Sequence, residues 1–225
     1  MASFITSLNG DQLVDYVNQQ LASFYPDGNK NKVKDDLNVV IKNTLKRTEA
    51  CFSKIRSRYY KYNEQFFFNH LNGDHYSMFL YILSNDVFKL VGNEDTASKI
   101  FLLNKSMFGV DAFYKIELPE VFIFVHPLGT ILGNAKYSNY FVVYQGVTIG
   151  SKIDGVYPEF SERTVVYSNS SVIGHCKIGS NCVIGTKSFI LDSIVSDNKM
   201  ILGTHPSVKV VENDSSIMEY YFQFS

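Results

Sequence analysis

Residues 163–190 have the sequence RTVVYSNSSVIGHCKIGSNCVIGTKSFI. Aliphatic residues recur in this stretch at every sixth position: Val166, Val172, Ile178, Ile184 and Ile190. An α-helix spaces its apolar residues about 3.6 positions apart and an exposed strand about two apart, so this interval indicates neither. A hexapeptide repeat instead predicts a coil of three short strands per turn. The aliphatic residues point inward, and successive turns stack about 4.8 Å apart.

The same interval occurs upstream, and we expect it to continue the inward column through Val125, Ile131, Tyr137, Val143 and Ile149. The step from Ile149 to Val166 is 17 residues, which is not a multiple of six. We therefore predict a loop at about 150–162. Long loops on a rigid scaffold commonly carry binding or catalytic groups, and a purely structural bulge is the alternative.

Composition narrows the functional classes. The chain has 225 residues and a formal net charge of −1, which argues against a protein built to bind nucleic acid or an anionic membrane surface. No apolar run approaches the roughly 20 residues that span a bilayer, and no basic segment followed by an apolar one begins the chain. We expect a cytoplasmic protein with no membrane span.

The chain divides into three predicted segments. Residues 1–108 predict an α-helical domain with a first helix capped by Asn9 or Asp11, a second over 30–62, a third capped by Asp74 and a fourth over 94–107. Residues 109–211 contain the repeats. Residues 212–225 form an aromatic tail, which we expect to pack on the coil or on a neighbouring subunit.

Three segments match one family: Gly109-Val110-Asp111, VHPLGTILG at residues 125–133 and YQGVTIG at residues 144–150. They resemble the serine O-acetyltransferases, hexapeptide-repeat acyltransferases that place a left-handed parallel β-helix behind an N-terminal helical domain. The match covers roughly residues 72–211. We therefore expect an α+β fold in which α-helices precede a left-handed parallel β-helix.

The resemblance also implies a mechanism. It makes His126 the general base and Asp111, fifteen residues earlier, the carboxylate that orients it. An imidazole is well suited to accept a proton near neutral pH. The donor would be acetyl-CoA, the acetyl group would pass directly to an acceptor hydroxyl, and no metal is expected. The resemblance further implies a homotrimer with CoA between adjacent subunits, near Gly150, Lys152 and Gly174.

The sequence departs from the family where the amino acid would bind. Val125 replaces an aspartate just before the base, and Val156 replaces an arginine in the loop, and a valine can pair with neither the amine nor the carboxylate of serine. The remaining candidates for acceptor contacts are Tyr157, Asp74 and Gln145.

Three functions remain open. The first is acetyl transfer to serine or a related amino acid, and the second is transfer to a sugar or nucleotide-sugar in surface-polysaccharide synthesis. The third is a non-catalytic β-helix scaffold, against which the pair Asp111 and His126 argues.

Overall fold

The computed structural model describes residues 4–213 and 217–224. Residues 214–216 and 225, which belong to the predicted aromatic tail, lie outside the described residues. Within the described ranges, no helix has the length and apolar character needed to cross a membrane.

The N-terminal part contains four helices and a small sheet. The helices are α1 (Gly10–Phe24), α2 (Lys30–Phe52), α3 (Gly73–Asp86) and α4 (Glu94–Phe108). A 3-10 turn follows α2 at Arg58–Tyr60, and a π-helical turn follows α3 at Val87–Val91. Three strands form one sheet in the order β1, β3, β2: β1 (Phe4–Thr6), β2 (Lys61–Tyr62) and β3 (Gln65–Phe68).

The expected second helix over 30–62 is therefore too long. α2 ends at Phe52, and the chain then turns so that Ile55 is buried and pairs with Phe222 near the C-terminus. A continuing helix would satisfy its backbone groups internally and would prevent this pairing. The three strands also correct the expectation that residues 1–108 are wholly helical.

Side-chain caps fix where the helices begin. Asn9 caps α1 through a capping box with Gln12, as one of the two predicted alternatives requires. The predicted cap of α3 is wrong, because Asn72 and not Asp74 accepts hydrogen bonds from the first-turn amides. Asp74 is one of the residues that donates its amide to Asn72, so its carboxylate is available for another partner.

The repeats form a parallel β-helix of about five turns. Its strands are β4 (Asp111–Ala112), β5 (Phe122–Val125), β6 (Ile131–Leu132), β7 (Phe141–Tyr144), β8 (Thr148–Gly150), β9 (Glu159–Phe160), β10 (Thr164–Val166), β11 (Ser171–Ile173), β12 (Lys177–Ile178), β13 (Cys182–Ile184), β14 (Phe189–Leu191), β15 (Ile194–Val195) and β16 (Lys199–Leu202). The last coil is covered by β17 (Lys209–Glu212), which pairs antiparallel with β16. The predicted α+β fold is confirmed.

The strands of successive turns form three faces, of which the first two have five strands and the third has three. The first face has the order β5, β7, β10, β13, β16; the second β4, β6, β8, β11, β14; the third β9, β12, β15. One inward column lies behind each face. The columns are Phe124, Val143, Val166, Ile184 and Ile201; Leu132, Ile149, Val172 and Ile190; and Tyr137, Phe160, Ile178 and Val195.

Two predicted members of the upstream column are wrong by one position. Phe124 and not Val125 is aligned with Val143, and Leu132 and not Ile131 is aligned with Ile149. Ile131 is accordingly 45% exposed whereas Leu132 is 2% exposed. The corner between the two strands is longer than in later coils, which changes the phase of the residues on either side.

The helical part and the β-helix share one continuous hydrophobic core. α3 is buried along its length from His75 to Asp86 and packs against β5. The Tyr81 hydroxyl donates to the carbonyl of Ile116 at 2.6 Å and accepts from the amide of Leu118 at 2.9 Å. These contacts fix the N-terminus of α3 beside the first corner of the β-helix.

The tail packs on its own subunit, one of the two predicted alternatives. Helix α5 (Ile217–Tyr221) is followed by Phe222, which is 1% exposed. The amide of Gln223 donates to the carbonyl of Lys54 at 2.9 Å. The tail therefore lies across the segment that follows α2.

Candidate active site

His126 lies at the corner that follows β5. Its backbone has a φ of +47°, a left-handed conformation that is uncommon for a residue with a side chain. Its amide donates to Asp74 Oδ1 at 3.0 Å, and its Nδ1 lies 3.8 Å from the same oxygen. The side chain is 79% exposed. The corner thus presents an accessible imidazole next to a carboxylate.

Asp74 reaches this corner from the first turn of α3. Its side chain is 24% exposed, and burial raises its pKa, an effect that the neighbouring His126 opposes. The carboxylate is thus partly withdrawn from water beside a group that can become positively charged. Interactions between charges are stronger in such surroundings than at an open surface.

Asp111 lies near the same corner but has a different partner. Its amide donates to the carbonyl of Thr130 at 2.9 Å, and its Oδ2 lies 2.7 Å from Lys105 Nζ. Within the part of the chain that the structure describes, no hydrogen bond or ion pair joins Asp111 to His126. The orienting role assigned to Asp111 stays a prediction.

Gln145 lies one coil away from His126. It follows β7 as His126 follows β5, and Val125 is aligned with Tyr144. Two residues that hold the same place in neighbouring coils lie about 4.8 Å apart along the stack. The Oε1 atom of Gln145 is buried and lacks a hydrogen-bond partner among the described residues. Gln145 is therefore close enough to influence this corner.

An open cleft of about 1350 Å³ surrounds His126 and Asp74. Its walls come from four parts of the chain: the segment after α2, the start of α3, the first two coils of the β-helix, and α5. The lining residues are Ile55, Arg56, Ser57, Arg58, Tyr59, Tyr60, Asn72, Gly73, Asp74, Ile123, Val125, His126, Tyr144, Glu219, Tyr220 and Tyr221.

Helix α5 is held in the wall of the cleft by specific hydrogen bonds. The amide of Arg56 donates to the carbonyl of Tyr221 at 2.8 Å. The Tyr221 hydroxyl lies 2.7 Å from that of Tyr144 and 3.2 Å from that of Tyr167. The tail is thus tied both to the helical part and to two successive coils.

The predicted CoA contacts gather at a second corner, where the chain leaves β8. The amide of Gly174 donates to the carbonyl of Gly150 at 3.0 Å, and a Cβ at Gly174 would lie 3.3 Å from Lys152 Cε. Lys152 Nζ forms an ion pair with Asp192 Oδ2 at 2.5 Å. The three predicted residues therefore form one surface, on which the lysine is already paired.

Tyr157 belongs to the loop between β8 and β9. A Cβ at Gly133 would lie 2.6 Å from a ring carbon of Tyr157, so the ring packs directly on this glycine. Only glycine permits such a close approach. Tyr157 and the predicted loop therefore lie with the second corner and do not line the cleft around His126.

The sequence and the fold were compared with those of known proteins. None of the protein-family models matches the chain. A serine acetyltransferase of Synechococcus elongatus is 31% identical over 99 residues, and one of Staphylococcus epidermidis is 27% identical over 104 residues. The crystal structure of Neisseria gonorrhoeae serine acetyltransferase superposes with a TM-score of 0.73 at 19% identity, covering 92% of this chain and 80% of that one. The chain has a serine acetyltransferase-like hexapeptide-repeat β-helix.

Related structures contain small molecules that the serine acetyltransferases bind. Brucella abortus serine acetyltransferase in complex with coenzyme A has a TM-score of 0.69 at 14% identity and covers 92% of this chain and 83% of that one. The Neisseria gonorrhoeae enzyme in complex with serine has a TM-score of 0.72 at 20% identity and covers 91% and 84%.

The sequence matches cover less of each protein than the structural ones. The Synechococcus match covers 42% of this chain and 41% of that relative, and the Staphylococcus match covers 44% and 49%. This serine acetyltransferase-like chain therefore spans about half of the length of the curated relatives that it matches, or somewhat less.

The sequence did not predict that arginine and tyrosine side chains line the cleft. Arg56, Arg58 and Tyr59 lie in a segment that was expected to continue a helix, and α5 lies in a tail with no expected function. No sequence signal joins these segments, because only the folded chain brings them to the corner at His126.

Within residues 4–213 and 217–224, no cluster of three histidine, cysteine or acidic side chains is arranged to hold a metal ion.

Proposed function

We propose that this chain is an acetyl-CoA-dependent O-acetyltransferase in which His126 is the general base. The observation that carries the proposal is the exposed imidazole, which lies in a cleft beside Asp74 on a fold of the serine acetyltransferase type. General bases need access to the substrate, and a nearby carboxylate favours the protonated imidazole that forms during the reaction.

The proposed reaction is a direct transfer. His126 takes the proton from the acceptor hydroxyl as the oxygen forms a bond to the thioester carbonyl carbon of acetyl-CoA. The carbon–sulfur bond then breaks, the proton passes from the imidazolium to the departing sulfur, and acetylated acceptor and CoA are released. No acyl-enzyme forms, so no protein nucleophile is needed.

Two carboxylates are proposed to act through His126. Proximity supports Asp74, which lies 3.8 Å from Nδ1 and stabilises positive charge on the ring. The family resemblance supports Asp111, whose Oδ2 is paired with Lys105 in this structure. Both are positioning residues, because neither touches the reacting atoms in this proposal.

The donor is proposed to bind at the second corner, along Gly150, Lys152 and Gly174. His126 precedes β6 on the second face of the β-helix, whereas Lys152 follows β8 on the same face. The two groups thus lie at opposite edges of this face. One subunit's histidine would meet another subunit's CoA surface, which supports the proposed homotrimer.

The acceptor is proposed to be a small hydroxyl compound. A relative bound to serine supports an amino acid, and Val125 in the lining of the cleft argues against it. The breadth of the cleft favours the second candidate, a sugar or nucleotide-sugar. Asp74 and Gln145 stay proposed acceptor contacts, and Tyr157, which lies with the proposed CoA surface, would reach the acceptor from a neighbouring subunit.

Release of free CoA from acetyl-CoA tests the proposal. L-serine, L-homoserine and a set of amino and deoxy sugars serve as acceptors, and a thiol reagent measures the product. Loss of a general base lowers the rate roughly 10²- to 10⁴-fold, so we expect this loss for His126→Ala. His205→Ala is the matched control, because His205 is exposed and belongs neither to the cleft nor to the proposed CoA surface.

Two results would contradict the proposal. Unchanged release in His126→Ala would remove the histidine from the mechanism. Absence of acceptor-dependent release from the wild-type protein with every acceptor would favour the non-catalytic scaffold.

A further inference from the structure

Two arginines in the cleft wall form no ion pair with any residue that the structure describes. Arg56 and Arg58 are exposed, and among the described residues neither forms an ion pair with a carboxylate. Arg56 Nη1 donates to the backbone carbonyl of Glu219 at 2.9 Å, and Arg58 Nη2 donates to the Tyr59 hydroxyl at 3.2 Å. A guanidinium has five N–H donors, so most of the donors remain available to a ligand.

The cleft is also larger than a free amino acid requires. Its volume of about 1350 Å³ exceeds the roughly 300–1000 Å³ typical of sites for drug-sized ligands. Tyr59 and Tyr220 are 64% and 76% exposed at its walls. Exposed tyrosines offer flat apolar faces and hydroxyl groups, which suit the ring of a sugar or base.

We infer that the acceptor is a sugar-sized hydroxyl compound that carries a phosphate or carboxylate group, which Arg58 and Arg56 bind. The inference rests on the proposed acetyl transfer and specifies its acceptor. Guanidinium groups bind phosphate and carboxylate through paired, charge-assisted hydrogen bonds. The hydroxyl to be acetylated would then lie at His126, at a distance from the anionic group that the length of the cleft sets.

Asp74, one of the two acidic residues that line the cleft, agrees with this orientation. Asp74 lies at the end that contains His126, where an anionic group would be repelled. Glu219 also lines the cleft, and its backbone carbonyl is held by Arg56. Because α5 carries Glu219 and Tyr220, the tail would act as a specificity element of the site.

A matched pair of probes tests the inference by calorimetry. N-acetylglucosamine 1-phosphate is compared with N-acetylglucosamine, and UDP-N-acetylglucosamine and glucuronate distinguish a nucleotide-linked phosphate and a carboxylate. We expect the wild-type protein to bind an anionic probe at least tenfold more tightly than the neutral sugar. Arg58→Gln is expected to weaken that binding on the order of 10-fold or more, because it removes a charge-assisted hydrogen-bond donor.

Further variants separate recognition from folding. Arg58→Lys keeps the charge and should retain part of the affinity, and Arg56→Gln should weaken binding in the same direction. Lys177→Gln is the control, because Lys177 is an exposed cation on the third face of the β-helix and does not line the cleft. The melting temperature of each variant shows whether it folds.

The outcomes are distinguishable from those of the acetyl-transfer experiment, because binding needs no turnover. Equal binding of neutral and anionic sugars, failure of every anionic probe to bind, or unchanged binding by folded Arg58→Gln would overturn the inference. Arg58-dependent binding without CoA release would instead contradict the proposed activity and leave anion recognition supported.

Discussion

The upper and lower coils of the β-helix differ in regularity. In the lower coils, residues 160–201, successive inward residues lie six apart except for the single step from Ile190 to Val195. In the upper coils, residues 122–149, the first step runs from Phe124 to Leu132 and contains two extra positions. Those extra positions form the corner that contains His126. The regular coils supply the register, and the irregular ones carry the candidate site.

The irregular coils also have larger side chains inside. Phe141 packs edge-on to Tyr137 with ring centroids 5.1 Å apart, and Tyr137 stacks at 5.8 Å and an interplanar angle of 5° on Phe160, where the lower coils begin. The lower columns contain valine and isoleucine instead. The aromatic coils are those that contact α3, so the helical part packs where the repeat is least regular.

The largest expected effect is the loss of stability on removing a buried side chain from the regular lower coils. Ile184 is fully buried in the column of the first face, and removal of its side-chain atoms leaves a cavity between coils. We expect Ile184→Ala to lower the free energy of unfolding by about 2–5 kcal/mol, measured by urea unfolding followed by circular dichroism. The matched change Ile131→Ala, at an upper residue that is 45% exposed, should cost about 0.5 kcal/mol or less.

The two variants compare the column assignments directly. If Ile131→Ala lowered the free energy of unfolding as much as Ile184→Ala does, Ile131 and not Leu132 would be the inward residue. The six-residue interval predicted from the sequence would then hold in the upper coils.

A second prediction concerns the helix that meets the irregular coils. His75 is buried among aromatic rings, with its centroid 5.0 Å from that of Phe52 and 4.2 Å from that of Tyr60. Burial lowers the pKa of His75 from 6.5 to about 3. Between these values the unfolded chain binds a proton that the folded chain does not, so stability falls as the pH falls below about 6.5.

The expected loss is about 2 kcal/mol in the free energy of unfolding between about pH 6.5 and about pH 5. Guanidinium unfolding at several pH values measures it. His75→Phe loses the acceptor of the Asn69 amide and should be less stable throughout, but its unfolding free energy should depend less steeply on pH. An equal slope in both proteins would show that His75 does not titrate on unfolding in this range.

The sequence predicted the regular half well and the irregular half in part. An interval of six residues has one structural solution, so the lower columns follow directly from residues such as Val166 and Ile178. The corner between β5 and β6 departs from this interval, because it contains two extra residues. A strict six-residue interval therefore predicts Val125 and Ile131 as inward residues, whereas Phe124 and Leu132 occupy the inward column in the structure.

The candidate site was predictable only where local sequence carries it. His126 was identified by its position in a motif, whereas its contact with Asp74 joins residues 52 positions apart. Aspartate commonly caps the N-terminus of a helix, which is why the sequence predicts Asp74 as the cap of α3. In the structure the side chain of Asn72 accepts the hydrogen bonds from the first-turn amides. Arg58 and Tyr220 enter the cleft through tertiary packing, for which no spacing rule exists.

The smallest expected effect decides which carboxylate acts through His126. Asp74→Asn keeps an acceptor for the His126 amide but removes the charge 3.8 Å from Nδ1. We expect kcat for CoA release to fall about tenfold, which corresponds to about 1.4 kcal/mol, with the acid limb of the pH–rate profile shifted to lower pH. A purely structural role would leave that limb in place.

Asp111→Asn is the matched variant, because Asp111 is bonded to Lys105 and lies at the same corner. If the arrangement seen in one subunit is the working one, its effect on kcat should be smaller than that of Asp74→Asn. A larger loss in Asp111→Asn, with the shift of the acid limb, would assign the orienting role to Asp111 as the family resemblance implies.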